Sequence, residues 1–245
     1  MSDELPPDLG GANAIAAIER ATEAMRRWQK TPAGQRAMKK HERELLEQRR
    51  VARQELCNIR GIPLDMAVRR WAYDTHPTGP LFKAVNEAIR WKLDREKELR
   101  GPTPAMRFLV GAPGTGKTSA LAWAVAEWER SALYVTADVL CRNKDESAWR
   151  SAGTVSLLVL DELGVEPHAD RITELMLKRY NDGQLTLCGS NLTWGDLMDR
   201  YMSGTGARLL DRMAQQKSMG LAPRVKAEGE SYRGQKPTQY KDEDF

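Results

Sequence analysis

Cysteine and histidine are scarce in this sequence of 245 residues, which contains only three of each. Cys57, Cys141 and Cys188 are far apart and form no CxxC pair, which argues against both a structural zinc site and a disulfide framework. Thiols that are not paired in this way are typical of a reducing compartment. We therefore expect an intracellular, cytoplasmic protein.

The sequence also lacks a long apolar run. No stretch reaches the roughly 20 residues that a membrane-spanning helix needs. The first twenty residues are acidic and contain prolines, whereas a secretory signal is basic and then apolar. We therefore expect a soluble protein that has no membrane partner.

The formal net charge is only +4, but the basic residues are unevenly distributed. Between residues 26 and 53, ten Lys and Arg stand against three Glu. Two interpretations remain open. The segment is either a solvated helical surface or an electrostatic site for phosphates or an acidic partner.

The composition and the hydrophobic pattern of the sequence change near residue 104. Residues 13–100 lack strand-like alternation and are rich in Ala, Glu, Lys, Arg and Leu, which predicts several helices. Beyond residue 105, short β-rich runs alternate with helical patterns, which predicts an α/β fold with a parallel sheet covered by helices. The predicted organisation is a helical, basic, partner-binding region over 1–104, an α/β domain with small C-terminal elements over 105–236, and a polar tail over 237–245.

A phosphate-binding pattern, G-x-x-x-x-G-K-[ST], stands between an apolar strand and a helical pattern, as it must to function. Backbone N–H groups of such a loop and of the following helix bind phosphates, because they have no acceptor within the helix. Lys117 would contact the β- and γ-phosphates of ATP, and Thr118 would bind Mg²⁺. The predicted nucleotide-binding residues are Gly111, Ala112, Pro113, Gly114, Thr115, Gly116, Lys117, Thr118 and Ser119.

Two adjacent carboxylates end a later apolar strand, "LLVLDE". Asp161 would bind Mg²⁺, and Glu162 would polarise the water that attacks the γ-phosphate. The alternative is a pair of acids that caps a core strand before a turn. A nucleoside kinase could use the same loop, but the paired acids favour hydrolysis.

Three later segments, "TLCGSNLTWGDL", "GARLLDRM" and "GESYRGQK", resemble the AAA+ ATPases of the DnaC-type helicase loaders and IstB-type transposition helpers. "RGIP" at 60–63 and "DELG" at 161–164 are also similar to that family's signatures. The resemblance covers about residues 55–236 and implies a P-loop AAA+ fold. It further implies a sensor 1 residue at Asn191, an arginine finger at Arg208 with Arg212 the less favoured occupant, and a sensor 2 arginine at Arg233.

This resemblance implies a Mg²⁺-dependent ATPase that forms a homo-oligomer with shared nucleotide sites. The favoured function is DNA replication, in which the protein would load a replicative helicase onto single-stranded DNA. One alternative is a transposition helper that binds duplex DNA and activates a transposase. The other is an ATP-sensing adaptor with little hydrolysis, against which Glu162 and Arg208 argue.

The segment over 138–154 looks shorter than the corresponding region of typical loaders. Within it, Trp149 and Arg150 could stack on single-stranded nucleic acid and pair with it. The alternative is that Trp149 is a packing residue. The sequence leaves both interpretations open.

Overall fold

The computed structural model describes residues 11–63, 79–201 and 206–228. Two compact units make up the chain, and they divide between Ala52 and Arg53. None of the helices within the described ranges is long and apolar enough to span a membrane.

The described part of the first unit consists of two helices joined by a tight turn. α1 spans Gly11–Gln29, and α2 spans Pro32–Ile59 and continues into the second unit. Thr31 caps α2, because its Oγ1 accepts a hydrogen bond from Gly34 N at 3.1 Å. A Cβ on Gly34 would stand 2.0 Å from the carbonyl oxygen of Trp28, so the turn requires glycine.

The second unit is built on a sheet of five parallel strands in the order β2-β3-β4-β1-β5. The strands are β1 (Ala105–Val110), β2 (Ala132–Thr136), β3 (Leu157–Leu163), β4 (Leu185–Ser190) and β5 (Arg224–Lys226). The described helices of this unit, after the end of α2, are α3 (Pro80–Leu99), α4 (Lys117–Glu127), α5 (Ala137–Arg142), α6 (Glu146–Thr154), α7 (Ala169–Asn181), α8 (Trp194–Tyr201) and α9 (Ala207–Ser218). The α/β class with a helix-covered parallel sheet is thereby confirmed.

Successive residues of each strand point to opposite faces of the sheet, and each face has its own hydrophobic core. In β3, Leu157 and Val159 belong to the core under α3 and α4, whereas Leu158 and Leu160 belong to the core under α5–α9. Both faces of the sheet are therefore covered, which explains why its inner strands read as continuous apolar runs.

α4 is apolar on nearly all sides because it lies between the sheet and α3. The ring of Phe82 in α3 meets the ring of Trp123 in α4 edge-on, with 5.8 Å between the centroids. Arg107 of β1 is buried and donates hydrogen bonds to the carbonyl of Ala84 and to the carboxylate of Glu87. The boundary predicted at residue 104 therefore falls inside the second unit, because α3 packs on the sheet.

Candidate nucleotide-binding site

The glycine-rich loop links β1 directly to α4. Gly111, Gly114 and Gly116 have φ angles of 152°, 84° and 91°, a region that side chains disfavour. A Cβ on Gly111 would also stand 2.4 Å from the carbonyl oxygen of Ala227, just beyond β5. The loop's path past β5 therefore depends on glycine at this position.

Lys117, the first residue of α4, is only 6% exposed. Its Nζ donates hydrogen bonds to the carbonyl oxygens of Gly111 at 2.7 Å and Ala112 at 2.8 Å. The first bond of the helix runs from Ala120 N to Gly116 O at 3.0 Å, so the N–H groups of residues 117–119 precede the helical pattern. The loop thus combines an inward-held ammonium group with helix N–H donors, an arrangement that suits a polyphosphate.

Asp161 lies on the face of the sheet that α4 covers, because it continues the alternation of Leu157 and Val159 along β3. It is 2% exposed. Its Oδ2 accepts a hydrogen bond from the hydroxyl of Tyr134 at 2.7 Å, and its Oδ1 accepts one from Glu162 N at 2.9 Å. The carboxylate is therefore held in one orientation by two donors.

Glu162 is exposed although it lies within β3, because the strand is irregular at this point. The pairing of β3 with β4 shifts register between Leu160 and Leu163, and Glu162 adopts φ 56°. Such irregularities redirect a side chain and are common beside functional sites. The backbone thereby turns the Asp161 side chain inward and leaves the Glu162 side chain in solvent.

β4 lies between the loop strand and the Asp-Glu strand, and its last residue ties the two together. Ser190 pairs in register with Val110 on one side and Leu163 on the other. Ser190 O accepts a hydrogen bond from Gly111 N at 3.2 Å, and Ser190 Oγ donates one to Leu163 O at 2.7 Å. Asn191 follows directly and is exposed at this edge of the sheet, between the loop and Glu162. Its sensor role stays a prediction.

The oxygen donors at this edge fit Mg²⁺. Asp161 supplies a buried carboxylate on the α4 face, and Thr118 lies in the first turn of α4, the helix that follows the loop. No group of three or more His, Cys, Asp or Glu side chains that could hold a metal occurs among the described residues. Mg²⁺ in a nucleotide site takes one or two protein ligands and completes its shell with phosphates and water, and Asp161 and Thr118 would be those ligands.

A buried carboxylate that the sequence analysis missed organises the loop after β3. Glu166 is 1% exposed and accepts hydrogen bonds from Gly164 N at 2.8 Å, from Arg200 Nε at 3.0 Å and from the hydroxyl of Tyr201. Burial, together with the neighbouring Glu166 carboxylate, raises the pKa of Tyr201. The network fastens the loop behind Glu162 to α8. No local pattern marks Glu166, because Arg200 and Tyr201, its side-chain partners, lie more than 30 residues away.

Two of the three predicted arginines lie on α9. Arg208 and Arg212 are exposed on α9, whose buried residues Leu209 and Met213 pack in the core opposite α4. Together with residues of α7 they line a cleft of about 320 Å³. Arg233 lies outside the described residues. The roles predicted for all three arginines stay predictions.

Trp149 is partly buried on α6 and packs against the core. The guanidinium of Arg171 lies over its ring, 4.1 Å from the centroid, and also pairs with Glu146 at 3.2 Å. One face of the indole is thus occupied within the chain, which favours the packing interpretation. Arg150 is exposed.

The five-stranded parallel sheet, the glycine-rich loop between β1 and α4 and the acidic pair at the end of β3 form an α/β fold with a P-loop pattern. This is the fold that the motifs predicted. The acidic pair and the loop are on different strands, and β4 with Asn191 at its end lies between them.

Solved structures with a similar fold include DnaI, at 22% identity and a TM-score of 0.45, over 64% of this chain and 86% of DnaI. A DnaC helicase loader is 20% identical at a TM-score of 0.40, over 66% of this chain and 100% of that one. AMPPCP-bound DnaA from Aquifex aeolicus is 20% identical at 0.45, over 62% and 48% of the two chains. No protein-family model and no curated protein matches the chain.

Proposed function

We propose that the protein binds ATP with Mg²⁺ and hydrolyses it. The observation that carries this proposal is that Lys117 and Asp161 share the α4 face of the sheet, at the edge where the glycine-rich loop begins. An ammonium group and a carboxylate in this arrangement can bind opposite sides of a metal–triphosphate complex. Bound Mg²⁺ would neutralise charge on the phosphate oxygens.

The exposed carboxylate of Glu162 is the general base of the proposed reaction. Because Asp161 is turned inward by its hydrogen bonds, Glu162 alone of the pair faces solvent, where a water molecule can approach the γ-phosphate. Asn191, which is exposed between the loop and Glu162, would orient that water or the γ-phosphate.

Hydrolysis is proposed to need a second copy of the chain. Arg208 is exposed on the side of the sheet opposite α4, so it is suited to contact a neighbour's nucleotide rather than its own. A guanidinium supplied in this way stabilises charge on the transferred phosphoryl group. The nucleotide sites of a homo-oligomer would then be shared between subunits.

The first unit is proposed to bind a replicative helicase, which the protein would load onto single-stranded DNA. On the described surface of α1 and α2, cations such as Lys39, Lys40 and Arg43 are exposed beside large apolar side chains. The large apolar side chains that are exposed among the described residues of this unit are Met25, Trp28, Met38, Leu45 and Val51. Exposed apolar groups mixed with cations suit a protein partner with an acidic surface.

Two variants test the proposed chemistry. Lys117→Ala should weaken ATP binding by roughly 3 kcal/mol, about 100-fold, because charge-assisted hydrogen bonds to phosphate are lost. Glu162→Gln should still bind Mg²⁺ and ATP but hydrolyse it about 100-fold to 10,000-fold more slowly. Binding is measured with a fluorescent ATP analogue and turnover by phosphate release. Wild-type binding by Lys117→Ala would disprove the site.

A further inference from the structure

We propose that Tyr134 is a positioning residue for Asp161, and that its hydroxyl fixes the orientation in which this carboxylate receives Mg²⁺ with the nucleotide. The inference rests on the proposed function of the site. Tyr134 is in the middle of β2, and β3 and β4 lie between β2 and β1, the strand that leads into the glycine-rich loop.

The geometry of β2 and β3 brings the two side chains together. Tyr134 pairs in register with Val159, and Thr136 pairs with Asp161, so Tyr134 and Asp161 are diagonal neighbours on one face. Tyr134 belongs to the core under α4, and both Tyr134 and Asp161 are buried. The phenol is long enough to span the diagonal, and its hydroxyl donates to Oδ2 at 2.7 Å.

This hydrogen bond supplies the second of two fixed points on the carboxylate. Oδ1 is held by Glu162 N, the N–H group of the next residue, which cannot by itself prevent the carboxylate from turning. Tyr134 holds Oδ2 from the neighbouring strand. Each oxygen keeps a lone pair for a metal or a metal-bound water. Partners of this kind orient the groups that bind a metal, and they tune its affinity.

The backbone of Tyr134 is in turn held by the "RGIP" segment at the end of α2. Tyr134 N donates a hydrogen bond to Arg60 O at 2.7 Å. Gly61 has φ 77°, and a Cβ there would stand 2.4 Å from Tyr134 O, so only glycine allows this approach. The Arg60 guanidinium donates to Val125 O in the last turn of α4, and to Trp128 O at 2.6 Å and Arg130 O at 3.1 Å just after the helix.

These contacts indicate a structural role for the "RGIP" segment. It fixes β2, which carries Tyr134, relative to α4, which carries Lys117. Ile62 anchors it in the core under α4. The segment therefore connects α4 to β2, and the Tyr134 hydroxyl connects β2 to Asp161 on β3.

The test is a Mg²⁺ titration of nucleotide binding to full-length Tyr134→Phe, which removes one oxygen atom. Loss of a partner to a metal-binding group typically lowers metal affinity about 10-fold to 100-fold. We expect the Mg²⁺ midpoint to rise by about that factor, while binding of the ATP analogue in EDTA stays at the wild-type value. A purely structural role would not separate these two measurements.

Tyr180→Phe is the matched control. Tyr180 is buried to the same extent, and its hydroxyl donates to Arg212 O at 2.8 Å, away from the loop. Both variants should lower Tm by similar amounts, and only Tyr134→Phe should move the Mg²⁺ midpoint. Equal midpoints for wild type and Tyr134→Phe would overturn the inference.

A double-mutant cycle separates action through Asp161 from a general effect. Adding Tyr134→Phe to Asp161→Asn should leave the Mg²⁺ midpoint of that variant unchanged, because the group that Tyr134 positions has already been altered. If Tyr134→Phe raised the Mg²⁺ midpoint of Asp161→Asn by the same factor as it raises that of the wild type, the inference would be overturned. If wild type itself bound the ATP analogue without any response to Mg²⁺, the proposed function would fail instead.

Discussion

The Asp161 carboxylate occupies the space beside Gly189 that a side chain at position 189 would fill. A Cβ on Gly189 would stand 2.1 Å from Asp161 Oδ1 and 2.8 Å from a methyl group of Leu121 in α4. Asp161 therefore leans from β3 across β4 toward the helix that begins with Lys117. The absence of a side chain at 189 is what permits this.

Gly189→Ala should displace the Asp161 carboxylate and impair hydrolysis. A misplacement on the order of 1 Å in a catalytic site costs about 100-fold in rate. The added methyl should also overpack the core and destabilise the fold by about 1–3 kcal/mol. Phosphate release at saturating ATP, followed as a function of Mg²⁺ concentration, measures the first effect, and urea unfolding measures the second.

Gly153→Ala is the control for this substitution. A Cβ on Gly153, in α6, would meet Leu175 at 3.8 Å, which is an ordinary contact. Alanine is also the better helix former. Gly153→Ala should keep wild-type turnover, and equal turnover in Gly189→Ala would show that Asp161 does not depend on Gly189.

Glu162→Gly should make the protein more stable while abolishing efficient hydrolysis. Glu162 has φ 56°, a left-handed conformation that costs about 1–2 kcal/mol for a residue with a Cβ and is open to glycine. We expect a gain of about 1 kcal/mol in the free energy of unfolding. Urea unfolding and phosphate release are the measurements.

Arg100→Gly separates backbone strain from chemistry. Arg100 ends α3 at φ 52° and is exposed. Its replacement should stabilise the fold to a similar degree without changing turnover. If Glu162→Gly were less stable than wild type, the left-handed conformation would not be a source of strain.

Mixing two inactive variants should restore part of the activity if Arg208 acts on a neighbour's nucleotide. Arg208→Ala keeps an intact loop, and Lys117→Ala keeps an intact Arg208. An interface between the two variants can therefore combine both intact groups, whereas an interface between two copies of either variant cannot. Turnover per subunit of wild type should also rise with protein concentration as such interfaces form. Recovery should be partial, because only some interfaces combine the two intact partners.

Phosphate release from the mixture, compared with the sum of the parents, is the measurement. Arg212→Ala is the matched control, since Arg212 lies one turn further along the exposed side of α9. It should retain activity alone. Mixed oligomers without any recovery, or full activity of Arg208→Ala as a monomer, would remove the role from Arg208.

The basic surface of α2 should contribute to salt-dependent binding if it contacts nucleic acid. Replacing Lys39, Lys40 and Arg43 by Gln removes three cations that are exposed in the structure. For a single-stranded oligonucleotide, the slope of log affinity against log salt concentration should then fall by about 2, because each phosphate contact contributes about 0.7. Fluorescence anisotropy at several salt concentrations gives the slope.

The control replaces Lys97, Lys144 and Lys178, which are exposed in the second unit, by Gln. It changes the net charge equally and should leave the slope closer to the wild-type value. An unchanged slope in the α2 variant would assign this surface to protein contacts.

The sequence by itself determined the elements whose signals are local. The loop over 111–118 and the pair Asp161–Glu162 could be recognised because each motif adjoins the apolar strand that presents it. The alternation of strands and helices beyond residue 105 predicted the parallel sheet for the same reason. β5 has no comparable local signal, because its three residues contain a single apolar side chain and form a strand by pairing with β1.

Only the tertiary structure decided how Asp161 is oriented, because the residues that orient it come from different strands. Tyr134 is on β2, Gly189 is on β4, and no spacing in the sequence connects either to Asp161. The unit boundary near Arg53, rather than at residue 104, also follows from the packing of α3 on the sheet. Local patterns specify backbone conformation and the chemistry available, whereas burial and contacts across the sheet depend on which strands become neighbours.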